Sequence, residues 1–146
     1  MWGFLLSMLS GALMSLQGVF DTQVTDRTSI WVAAGWVQLT AFLACAVAWF
    51  FTGRKPVADL FQVRPWYLLL GGVMGAVITI TVIQGMQALG PARATLLIVI
   101  TQLAVSYGVE LLGLFGVEKT PFRWSRLFGL LLAVGGFFLF EHSAGQ

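Results

Sequence analysis

The feature that most constrains this chain is a succession of five apolar runs, each near the length needed to cross a bilayer. Inside lipid no water serves the backbone N–H and C=O groups, so a spanning segment is either a helix or part of a closed barrel. A hydrocarbon core about 30 Å thick takes about 20 residues of helix but only about 10 of strand. The runs here are 19 to 23 residues long and therefore read as helices, at 2–20, 30–51, 66–88, 92–114 and 122–140. The expected fold is an all-α integral membrane domain, with 1–146 as a single five-helix unit. Charge content agrees: 10% of the residues are charged, against about 25% in soluble domains. The first run lacks a basic leader and an A-x-A-like cleavage site, so it reads as a retained span.

Against that background a carboxylate inside a span stands out. The fourth run holds Thr95, Gln102, Ser106, Glu110 and Gly113, spaced 7, 4, 4 and 3 apart. These positions share one side of a helix whose other sides are Leu, Ile and Val. An ionisable group within a span costs about 2.5–3.5 kcal/mol on insertion scales and marks a functional site by default. Glu110 is thus the leading candidate for a cargo- or proton-binding group, with Gln102 and Ser106 beside it. It stands about one turn from the helix end, so the competing reading is an interfacial carboxylate paired with Lys119 or Arg123.

The other spans supply weaker candidates. Gly3, Ser7, Gly11, Ser15 and Gly18 give the first helix a small-residue stripe for close helix approach. Gln17 lies off that stripe and is a hydrogen-bonding candidate for cargo; Asp21 follows one turn later, where it is expected to end the helix at the interface, with a cavity-facing, cargo- or proton-binding position as the alternative. In the second helix Trp31 and Trp49 mark the two membrane faces. Trp36 and Gln38 lie deeper, Trp36 serving as a packing or lipid contact or as a stacking surface for cargo. Cys45 reads as a small buried hydrophobe. In the third helix Thr81, Gln84 and Gln87 form a polar edge, with Gln84 the better cavity candidate and Gln87 interfacial. The fifth helix, apolar with Gly129, Gly135 and Gly136, reads as a packing or dimer helix without chemistry of its own.

Charge placement suggests an orientation. With the N-terminus inside, the inner connections hold Arg54, Lys55, Arg64, Lys119, Arg123 and Arg126, and the outer ones only Arg27 and Arg93. The positive-inside rule then favours N-terminus in and C-terminus out. No cofactor is implied. One cysteine and one histidine offer no metal-ligand spacing. No basic patch with interleaved aromatics points to nucleic acid. No span pairs a nucleophile with a base, so an enzyme is not expected.

Several motifs together resemble the five-helix YdcZ-type branch of the drug/metabolite transporter superfamily. They are Leu16-Gln17 with Asp21, the run Leu89-Gly-Pro-Ala-Arg-Ala-Thr, Thr101-Gln102-Leu103, and Gly113-Leu-Phe-Gly-Val-Glu-Lys leading to Pro121, Arg126 and Gly129. Members of this family typically have Asn where Asp21 stands, and often Asp-His where this chain has Glu110-Leu111. The carboxylate is kept one methylene longer and the imidazole is absent. The resemblance implies half of a ten-helix inverted-repeat transporter in a bacterial cytoplasmic membrane. It implies a partner in the bilayer, either a second copy or an inverted homologous five-helix chain. The expected function is secondary transport of a small metabolite or amine, with cargo and proton meeting at Glu110 in a cavity lined by the first four helices. The rival is a non-transporting scaffold or accessory subunit, in which a partner helix covers the polar stripe.

Overall fold

The computed structural model describes residues 1–52 and 56–143. Arg54 and Lys55, which enter the charge count above, lie outside the described residues. Five helices are long and apolar enough to span a membrane, and no strand occurs among the described residues. We label them α1 (Trp2–Arg27), α2 (Ile30–Phe51), α3 (Gly71–Leu89), α4 (Pro91–Leu112) and α5 (Trp124–Ser143). Short 3₁₀ segments occupy Val57–Gln62, Trp66–Leu70 and Leu114–Gly116. The fold is that of an all-α, multi-pass membrane protein.

The helix bounds differ from the apolar runs where local chemistry decides. α1 passes the end of its apolar run and continues to Arg27. The stretch Asp21–Arg27 holds neither Gly nor Pro to stop it, and the Thr22 hydroxyl donates to the Gly18 carbonyl one turn back. Asp21 therefore lies inside the helix and does not terminate it. Ser29 then caps α2, its hydroxyl accepting from the Val32 N–H at 3.3 Å. α4 stops at Gly113, whose φ of 65° is the left-handed conformation common at helix C-termini.

The chain divides into two compact units, Met1–Ala88 and Leu89–Gln146. In the first, the enclosed side chains are small or flexible. Ala33, Ala34, Ile83 and Met86 are buried. Gly18 lets α3 approach: a Cβ there would stand 2.5 Å from Met86 Cε and 3.2 Å from Val82 Cγ1. At the same end the Gln87 amide donates to Asp26 Oδ1 at 2.8 Å, tying α3 to α1. The rest of the small-residue stripe is open, since a Cβ at Gly3 or Gly11 meets nothing within 4 Å. α2 is covered only near its start, at Ala33 and Ala34. Cys45 is accordingly exposed rather than buried, on a stretch of α2 turned wholly outward among large apolar side chains. Lipid is the natural neighbour of such a surface, because burial against another helix gains little over lipid tails.

In the second unit α4 and α5 run antiparallel and are clasped near both ends. Arg93 pairs with Glu141 at 3.3 Å, and Arg126 pairs with Glu110 at 2.7 Å. The link between them folds back on the last turns of α4. The Thr120 N–H donates to the Glu110 carbonyl at 3.0 Å. The Tyr107 hydroxyl accepts from the Arg123 N–H at 3.2 Å and donates to the Arg123 carbonyl at 3.4 Å. These bonds serve backbone groups beyond the helix end, and they set where α5 begins.

Candidate functional site

The candidate residues fall into two groups, one in each unit, and each is built by its own helices. The fastened α4–α5 link brings Arg126 over the last turn of α4. Arg126 Nη1 donates to Glu110 Oε2 at 2.7 Å and to the Thr120 hydroxyl at 3.5 Å. Thr120 also donates to the same carboxylate oxygen, at 3.5 Å. The guanidinium carbon lies 5.7 Å from the centre of the Tyr107 ring, within cation–π range. A charge-assisted bond of this length is of the strong kind, though both side chains stay about two-fifths exposed, at 40% for Glu110 and 44% for Arg126.

This ion pair closes one part of a cleft of about 420 Å³. From α4 it is walled by Leu103, Ser106, Tyr107 and Glu110; from α5 by Arg126, Gly129 and Leu130. Glu110 and Ser106 thus meet on one cleft, as their spacing predicts. Gln102 is exposed and is not among the lining residues. The reason is helical geometry: each four-residue step overshoots a 3.6-residue turn by about 40°, so Gln102 lies about 80° around the helix from Glu110. Leu103, seven residues before Glu110, occupies the place on the cleft that Gln102 was expected to hold.

Three features of this group were not expected from the sequence. The cleft is walled by α4 and α5, and the fifth helix, read as inert, supplies the cation. Of the basic residues that follow α4, Arg126 is the one that reaches Glu110, rather than Lys119 or Arg123. Tyr107 binds the backbone of Arg123 and flanks the guanidinium. A signal for Arg126 was present: it is the one cation within the first turn of an otherwise apolar span.

The second group lies on α1. Gln17 Nε2 donates to Asp21 Oδ2 at 3.5 Å, one turn apart. Asp21 is only 8% exposed. Trp36 is 60% exposed on α2. Gln84 is exposed on α3 and makes no side-chain hydrogen bond among the described residues. The contacts therefore join Gln17 to Asp21 and leave Trp36 and Gln84 on outer faces.

Over residues 2–139 the sequence matches the family model described as "Putative inner membrane exporter, YdcZ". The chain belongs to the YdcZ family. No curated protein matches it, and no solved structure does. The family is described as inner-membrane exporters, and with five apolar helices the chain is a multi-pass membrane protein of that exporter family.

Proposed function

We propose that this YdcZ-family chain exports a small polar or amine-bearing solute, with Glu110 as the exchanging group. The observation that carries this reading is the carboxylate of Glu110 on the wall of a cleft, paired with one cation, Arg126, on the neighbouring helix. In the resting pair Arg126 answers the charge of Glu110. A cationic cargo or a proton competes with the guanidinium for the same oxygens, and its arrival frees Arg126 to swing from the cleft. Ser106 and Tyr107 offer hydroxyls to the cargo, and Leu103, Gly129 and Leu130 an apolar floor. Because the site must face each side of the membrane in turn, the working unit is two five-helix chains in inverted arrangement, either copies or homologues. The charge bias along the sequence supports an N-terminus inside and a C-terminus outside, an orientation in which Glu110 is near the inner face.

The test begins with a thermal-shift screen of amines and neutral metabolites on the purified protein, since stabilisation follows affinity for the folded state. Flux of the hit into proteoliposomes is then driven by a pH gradient. Glu110→Gln is expected to abolish gradient-driven flux while the protein still elutes as a folded species. Unchanged flux removes Glu110 from the mechanism. One observation favours a second reading, that of an accessory subunit: the bonds from Arg126 and Thr120 also serve as a structural clasp. On that reading Glu110→Gln and Arg126→Gln both lower stability, and the chain moves no solute alone or with a homologue.

A further inference from the structure

Asp21 and Glu110, the two candidate carboxylates of the spanning helices, differ in how their charge is answered. Glu110 has Arg126 at 2.7 Å. Asp21, the more buried of the two, has only the neutral Gln17 amide at 3.5 Å. Among the described residues no Lys, Arg or His comes within salt-bridge distance of it. The sequence explains why. α2 and α3, the other helices of its unit, contain no charged residue at all. On α1 itself Arg27 lies six positions further on, about 240° around the helix and so on another side. Asp26 carries the same sign and is bound by Gln87. Arg93 is already engaged with Glu141. A carboxylate this shielded from solvent and met only by a neutral amide is costly to keep charged, so a cation is needed to answer it.

A second, independent observation lies one turn along the helix. Thr25 Oγ1 is buried and has no hydrogen-bond partner among the described residues. Other threonines of this unit behave otherwise. Thr22, Thr28, Thr40, Thr79 and Thr81 each return the hydroxyl to the carbonyl four residues back. Thr25 is the buried exception, and buried hydroxyls without partners are rare. Gln17 and Thr25 lie one turn before and one turn after Asp21 on α1, each about 40° around the helix from it, so both flank the carboxylate. Since Gln17 donates through Nε2, its Oε1 remains an acceptor. Asp21 thus has an unpartnered buried hydroxyl one turn to one side and an amide one turn to the other, and no cation among the described residues meets its charge.

We propose that Asp21 and Thr25 form the seat of a small monovalent cation, H⁺ or Na⁺, separate from the Glu110 cleft. The low exposure of Asp21 suits an ion of this size rather than an organic cation. Cation binding here stands by itself; only its use as the coupling ion rests on the export reading above.

The experiment is carbodiimide labelling of the purified full-length chain in detergent, mapped by peptide mass spectrometry. Dicyclohexylcarbodiimide attaches to carboxyl groups that carry a proton in apolar surroundings. In choline chloride at neutral pH the adduct is expected at Asp21, several-fold above that at Glu110, Asp26 or Glu141. Replacing choline by Na⁺ separates the two ions: protection of Asp21 identifies Na⁺, and unchanged labelling identifies the proton. Thermal melts give a second readout, in which acid or Na⁺ stabilises the wild type and leaves Asp21→Asn unmoved. An unlabelled Asp21 in both salts, or an Asp21→Asn protein that responds to Na⁺ and acid as the wild type does, overturns the proposal. Labelling needs no cargo, so a chain that labels at Asp21 yet moves no solute removes the export reading and leaves the cation seat in place.

Discussion

Consider the removal of the α4–α5 clasp at Arg126. At 2.7 Å the gross attraction of two unit charges is about 6 kcal/mol for an effective dielectric of 20. Desolvation and side-chain ordering offset most of it, and exposed pairs retain about 0.2–1 kcal/mol. The pair at Glu110 is about two-fifths exposed but belongs to a span. An unanswered charge there costs up to about 2.5–3.5 kcal/mol at mid-membrane, and less near a helix end. Glu110 is two residues from the end of α4, so Arg126→Gln should cost about 1–2 kcal/mol. Glu110→Gln should cost less, because a glutamine oxygen still accepts from the guanidinium. The double variant should cost less than the sum, with a coupling of about 1 kcal/mol. Equilibrium unfolding of the four proteins by sodium dodecyl sulfate titration in mild detergent gives each term. A coupling below about 0.3 kcal/mol, the scatter of independent sites, would show that the pair contributes nothing and refute the reasoning.

Two further predictions concern glycines. At Gly18 a methyl group meets the flexible end of Met86, and helix propensity favours Ala by about 1 kcal/mol. Gly18→Ala should therefore melt near the wild type, whereas Gly18→Leu should lose about 1–3 kcal/mol by overpacking; equal melting of all three would show that α1 and α3 do not meet there. Gly113 holds φ at 65°, and a Cβ there lies 3.2 Å from Lys119 Cβ. Gly113→Ala should cost about 1–2 kcal/mol for the left-handed backbone, and loosening of the link should raise hydrogen exchange at the Thr120 N–H; an unchanged exchange rate would disprove the link's dependence on this turn.

The amino-acid sequence alone determined the class of this protein. Five runs of bilayer length admit only helices in lipid, and the motifs around Leu89–Thr95 and Gly113–Lys119 pointed to the family. The sequence also singled out Glu110, because a carboxylate among Leu, Ile and Val is conspicuous without any coordinates. It placed Ser106 on the same side, since one turn of helix relates the two. Tertiary structure decided which charge answers which. Arg126 and Glu110 are 16 residues apart, and only the return of the link onto Tyr107 and the Glu110 carbonyl sets the register that joins them. The position of Asp21 was likewise hidden. Whether a polar residue after an apolar run is enclosed or left in water depends on what packs beside it. Here Gly18 admits Met86, α1 runs on to Arg27, and an acid that composition would place at the water's edge is enclosed. Local periodicity shows which face a side chain occupies; the neighbour that meets it comes from elsewhere in the chain, and that pairing is set by packing.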